Sequence, residues 1–216
     1  MATFTAPDGV RLQYEIEGHG PPLVLHLGAA CDAGLWREAG YIDVLTKKYS
    51  CILFNHRGHG KSDHPTSAVA NHLDRYADKV AALVLFGPIA RRATAEQLAA
   101  GSKMRVAELR SKGWWFLLDD MTAAQKHPVP QWTLDRITAT DIEPYIAWSE
   151  ARPTWNWSPW DALPLIESPT PMIEAALLMP NATRIRIPDR EHINAFLSSE
   201  LALPHVMAFL GRHASR

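Results

Sequence analysis

Apolar and polar residues alternate from position 10 to 17. Val10, Leu12, Tyr14 and Ile16 interleave with Arg11, Gln13, Glu15 and Glu17, which predicts a strand with one polar face. The turn-forming run Gly18-His19-Gly20-Pro21-Pro22 leads into Leu23-Val24-Leu25-His26-Leu27, an apolar run of the kind buried inside a parallel sheet. Small residues fill Gly28 to Gly34. A helix is predicted from Leu35 to about Lys48, with lysines at the end that the helix dipole favours. Ser50–Phe54 and Ala82–Phe86 read as two more buried strands, separated by a loop over 55–65 and a helix over 67–79. Strand, helix, strand, helix, strand is the rhythm of an α/β fold, with a mostly parallel sheet and flanking helices.

The pattern changes at Ile89. From there to Trp160 the periodicity is helical and no strand-like run occurs. Seven of the eight tryptophans fall here, at 114, 115, 132, 148, 155, 157 and 160. This predicts a helical lid over 89–160, inserted in a core made of 1–88 and 161–216. The lid aromatics have two available roles, lining a pocket or packing the lid onto the core. Asp161 to Pro171 is a proline-rich connection and Met172 to Met179 a predicted short helix. Thr183–Ile187 is a last strand, and Ala195–Leu210 a closing amphipathic helix. All the strands are expected in one sheet. The four after Val10–Glu17 should pair in parallel, because helices separate them in sequence.

The 216 residues are 47% hydrophobic and 21% charged, which suits one domain carrying an insertion and excludes a disordered chain. Twenty-two basic against 23 acidic residues give no electrostatic case for nucleic acid. The longest apolar runs fall far short of the ~20 residues of a membrane helix. Residues 1–9 show neither a basic start nor an apolar stretch of the secretory type. Cys31 and Cys51 read as free thiols in a reducing compartment. The expectation is a cytoplasmic protein with no nucleic-acid or membrane partner.

Asn55-His56-Arg57-Gly58-His59-Gly60-Lys61-Ser62-Asp63 resembles the R-G-x-G-x-S turn of the α/β-hydrolase family, whose glycines allow backbone angles that other residues avoid. Leu25-His26-Leu27-Gly28 is similar to the family's strand-plus-His-Gly motif, and Trp36 to the tryptophan that often opens its next helix. Asp78–Leu85 resembles the entry to the sixth strand, and Trp160–Ile166 the exit from a lid. Met179-Pro180-Asn181-Ala182-Thr183 followed by His192 resembles the last strand and the histidine loop. The motifs stand in family order from end to end. The resemblance implies hydrolysis of an ester, lactone or similar bond in a small, fairly apolar substrate, without a cofactor or metal. It implies His192 as general base and Gly28 and Ala29 in the oxyanion loop. A surface-loop histidine is the other reading of His192.

The chain also departs from the family. It has no G-x-S-x-G nucleophile elbow, and between Asp63 and Ala82 there is room for one helix only, so one strand-plus-helix unit is missing. At Ser168-Pro169-Thr170-Pro171 the chain reads straight into a helix, so the seventh strand and the catalytic acid are expected to be missing too. Asp161, Asp189 and Glu191 are each a candidate to replace the acid or a solvated loop carboxylate, and none stands in the family's acid position. Ser62 belongs to the turn as a capping or turn hydroxyl. His56, His59, Asp63 and His64 have the wrong spacing for the H-x-H-x-D-H metal motif, and Arg57 would set a positive charge beside the ion. Gly60-Lys61-Ser62 lacks the first glycine of a phosphate-binding loop, Asn55 standing there, and Pro65 interrupts the helix that should follow. Cys31 is a substitute nucleophile or a small buried thiol. The resemblance therefore implies an impaired hydrolase or, as the alternative, an inactive binding protein or shortened variant.

Overall fold

The computed structural model describes residues 2–28, 31–65, 85–86, 94–123, 126–151, 153, 170–173, 182–190 and 192–213. The helix expected over 67–79, the tryptophans 155, 157 and 160, and Ala29, Asp161 and Glu191 lie outside them. The chain divides into two units.

The first unit comprises Met1–His72, Ala93–Ala123 and Val129–Thr154. Its sheet holds β1 (Ala2–Thr5), β2 (Arg11–Glu17), β3 (Pro22–Leu25) and β4 (Ser50–Phe54) in the order β1-β2-β4-β3. The β1–β2 and β2–β4 pairs are antiparallel and β3–β4 is parallel. Register decides the faces. Glu15 and Leu25 both lie beside Leu53, while Ile16 and Val24 both lie beside Ile52. The Leu53 face is the covered one, with Cys51, Leu53 and Leu25 buried. The polar face of β2 is therefore turned inward. Arg37 pairs with Glu15 and Glu17, and the Asn55 amide donates to the Gln13 side chain, so these groups are satisfied under cover. Ile16 and Val24 remain exposed on the other face.

The single helix expected over Leu35–Lys48 is two, α1 (Leu35–Glu38) and α2 (Ile42–Leu45). Gly40 breaks it at φ 81°, a conformation that ends a helix and suits only glycine. The break brings Trp36 edge-on to Tyr41, rings 5.1 Å apart, and buries Tyr41 and Leu45. Four helices follow: α3 (Ala95–Lys112), α4 (Trp115–Ala123), α5 (Gln131–Thr138) and α6 (Glu143–Ala151). Thr94 and Gln97 cap α3 reciprocally, side chain to backbone in both directions. Trp114 is buried and its indole N–H donates to the Thr140 carbonyl at 2.7 Å, while its ring meets Tyr145, which stacks on Trp148. These aromatics pack helix against helix. Trp115 and Trp132 stay exposed.

The second unit comprises Leu73–Arg92, Ala124–Pro128 and Trp155–Arg216. A parallel sheet in the order β5-β6-β7 joins β5 (Leu85–Phe86), β6 (Thr170–Ile173) and β7 (Ala182–Arg184). One expectation is corrected here. Thr170–Ile173 is a strand, whereas the sequence read as entering a helix at Met172 with the seventh strand lost. Pro171 pushes Thr170 into extended backbone, and β-branched Thr170 and Ile173 suit a pleat. β5 reaches only Met172 and Ile173, so the missing N–H of Pro171 falls where β6 has one neighbour. Among the described residues the strands stand in two hydrogen-bonded groups, one in each unit. The parallel sheet is thus only partly realised, since β1–β2 and β2–β4 run antiparallel. The closing helix is also split, into α7 (His192–Leu197) and α8 (Ser199–His213) at Ser198. Ile187 and Ala195 form a small core with Ile185, and the buried Asn194 amide donates to the His127 carbonyl at 2.8 Å.

Candidate active site

The R-G-x-G-x-S segment forms a turn fastened from both sides. Gly58 at φ 76° and Gly60 at φ 55° occupy left-handed backbone, and a Cβ on Gly58 would fall inside Pro144. Ser62 is buried. Its hydroxyl donates to the Asn55 carbonyl at 2.5 Å and accepts the Gln13 backbone N–H at 2.9 Å. Asn55 Oδ1 accepts the Ala33 N–H at 2.6 Å, tying β4 to the loop after β3. Both functions of the Ser62 hydroxyl are committed to the backbone, which makes it a structural group.

Three imidazoles gather in this unit. The His26 and His56 rings stack 5.1 Å apart, and the His56 and His59 rings lie 3.6 Å apart. His59 Nδ1 donates to the Arg57 carbonyl at 2.9 Å. Burial lowers His56 well below the ordinary imidazole range, and the neighbouring His59 and His26 add to it. Burial lowers His26 and His59 as well. Packed ring on ring, the three are poorly placed to share an ion, and among the described residues no group of three His, Cys, Asp or Glu is arranged to hold a metal.

Gly28 lies three residues past the C-terminal end of β3 and is exposed, with open space where a Cβ would stand. Ala29 lies outside the described residues. Cys31 is half-buried. Burial, with the charge of Asp32, pushes its thiol up to about 12, so the thiolate a nucleophile needs is scarce at neutral pH. His192 is the first residue of α7 in the second unit. Asp189 lies in the preceding turn at φ 54°, ion-paired with Lys126 at 3.5 Å.

Local sequence gave no sign of the clamp on the loop after β3. Arg136, on α5, donates to Asp32 at 2.6 Å and pairs with both oxygens of Glu38. Its partners lie 104 and 98 residues away in the chain, which is why no spacing reveals it. The one local signal is its place beside buried Ile137 on a helix of strong amphipathicity. A cleft of about 560 Å³ opens beside the clamp, bordered by Asp32, Glu38, Gly60, His64, Trp132 and Asp141. His64 Nδ1 faces Asp141 at 3.3 Å across it.

No family model matches the chain. A non-heme chloroperoxidase of Streptomyces lividans is 36% identical over 85 residues, 38% of this chain and 30% of that protein. The chain thus matches under a third of the length of the curated relatives it resembles. Solved structures align over nearly all of it. A thermophilic esterase from Thermogutta terrifontis superposes with a TM-score of 0.75 at 19% identity, covering 98% of each chain. The enol-lactonase from Burkholderia xenovorans LB400 does so with a TM-score of 0.71 at 17% identity, over 97% of this chain and 100% of that one. The chain has the α/β-hydrolase fold.

Within the α/β-hydrolase fold, the turn at Arg57–Ser62 is now explained as architecture: it locks β2, β4 and the loop after β3 together. Among the described residues no helix is long and apolar enough to cross a membrane.

Proposed function

We propose that this chain is an α/β-hydrolase for small ester- or lactone-like substrates whose turnover is impaired. In this reading His192 is the general base, the Gly28–Ala29 segment supplies an oxyanion N–H, and the helices within 89–160 form a lid on a core of 1–88 and 161–216. The protein works in the cytoplasm on a small molecule, without a cofactor or nucleic acid. One observation carries the reading: the likeness to esterase and lactonase structures along the whole chain, with the family's motifs in order. The impairment follows from chemistry. A seryl hydrolase needs an activated nucleophile, and the 216 residues hold no G-x-S-x-G elbow. The same absence favours a second reading, an inactive relative that binds its ligand and does not cleave it.

Turnover of short p-nitrophenyl esters by the purified chain, with fluorophosphonate labelling alongside, tests both. Turnover near background, lost in His192→Ala, supports the impaired hydrolase. No turnover and no labelling supports the binding protein. Turnover that survives His192→Ala and vanishes in Cys31→Ala overturns the assignment of the histidine and makes Cys31 the nucleophile.

A further inference from the structure

We propose that Arg136 is a positioning residue that clamps the segment Cys31–Glu38 onto α5 and keeps Cys31 half-buried. The guanidinium is geometrically committed. Nη1 meets Asp32 Oδ1 at 2.6 Å, while Nε and Nη2 address the two Glu38 oxygens in the fork geometry that a planar group provides. Asp32 Oδ1 also accepts the Gly34 N–H at 2.8 Å, so one carboxylate oxygen ties the arginine to the loop backbone. Gly34 admits this approach, since a Cβ there would stand 2.9 Å from Arg136 Nη1. Arg136 and Asp32 are both well shielded, with side-chain exposures of 24% and 29%, and such a pair is worth more than a solvated one. The segment has a second anchor in the Ala33 N–H bond to Asn55. The anchor holds the middle of the segment, and the clamp holds Asp32 and Glu38 on either side of it.

The clamp also bears on the proposed chemistry, because Gly28 lies just upstream of the clamped segment. That consequence rests on the oxyanion reading of Gly28, while the clamp itself does not. Cys31 reports on it directly. The charge of Arg136 favours the Cys31 thiolate, against burial and Asp32. If Arg136 acted only through its field in a fixed structure, removing it would leave the thiol less ionised and slower to react. If it holds the segment closed, removing it exposes the thiol and speeds reaction. The two roles have opposite signs.

The test is the rate of Cys31 modification by Ellman's reagent in the full chain, with the site confirmed by peptide mass and buried Cys51 as internal reference. Arg136→Gln is expected to raise the Cys31 rate at least about tenfold, the factor lost with a charge-assisted hydrogen bond, with Cys51 unreactive. An unchanged or slower rate in Arg136→Gln overturns the proposal. If that variant does not fold, Glu38→Gln decides: faster labelling supports the clamp and an unchanged rate overturns it. Ester turnover measured on the same samples keeps the readings apart. A natural chain without turnover removes the hydrolase reading, and the thiol rates still decide the clamp. Where turnover is present, Arg136→Gln should lower kcat with KM unchanged.

Discussion

Histidines 26, 56 and 59 are expected to make this protein sensitive to mild acid. Each is held below the ordinary imidazole value, first by burial, and His56 lies well below it, its burial reinforced by two neighbouring rings that would repel its charge. His64 also faces His59 and disfavours its charge, while Asp32 and the Arg57 carbonyl favour it. The folded state therefore keeps these rings neutral, and the unfolded chain takes up protons from about pH 6.5 downward. Stability is fully present above that pH and declines as pH falls from there toward the folded-state values. Asp8 and Asp63, held low by hydrogen bonds from Arg57 and Arg11, respond only at lower pH. Thermal denaturation followed from pH 7.5 to 5 at constant ionic strength should show a falling Tm, and His56→Gln should flatten that fall. An equal slope in the variant would remove the ring stack as its cause.

Among the elements, α3 depends most visibly on a local device. It has 18 residues and weak amphipathicity, so burial of one face contributes less than usual and its ends matter more. Thr94 caps the first turn with Gln97 reciprocating, and Gly113 at φ 62° closes the last turn. Thr94→Ala should cost about 1 kcal/mol, read as faster amide exchange over the first turn of α3 with α5 and α6 unchanged. Uniform exchange across α3, α4, α5 and α6 would show that the cap is redundant. β6 teaches the opposite lesson. A stretch with two prolines within four residues reads as a connection, and partners on either side make it a strand.

At the scale of the whole molecule, the division into two units has a thermodynamic consequence. Among the described residues each unit has its own ladder of strands, four in one and three in the other. Unfolding should therefore depart from two-state behaviour. Calorimetry is expected to give two transitions, or one whose van't Hoff enthalpy is below the calorimetric value; a single transition with equal enthalpies would contradict this. The α/β class, the strands Arg11–Glu17 and Ser50–Phe54, the glycine turn at 58–60 and the free state of Cys31 and Cys51 were all determined by the sequence alone. Local periodicity, φ-permissive residues and cysteine number need no distant partner to be read. The inward turn of the polar face of β2, the strand at Thr170–Ile173 and the Arg136 clamp were decided only in three dimensions. Each depends on a partner far away in the chain: Arg37 for Glu17, β5 and β7 for β6, and Asp32 and Glu38 for Arg136. Contacts of that kind form through the packing of the whole chain, and spacing along it carries no record of them.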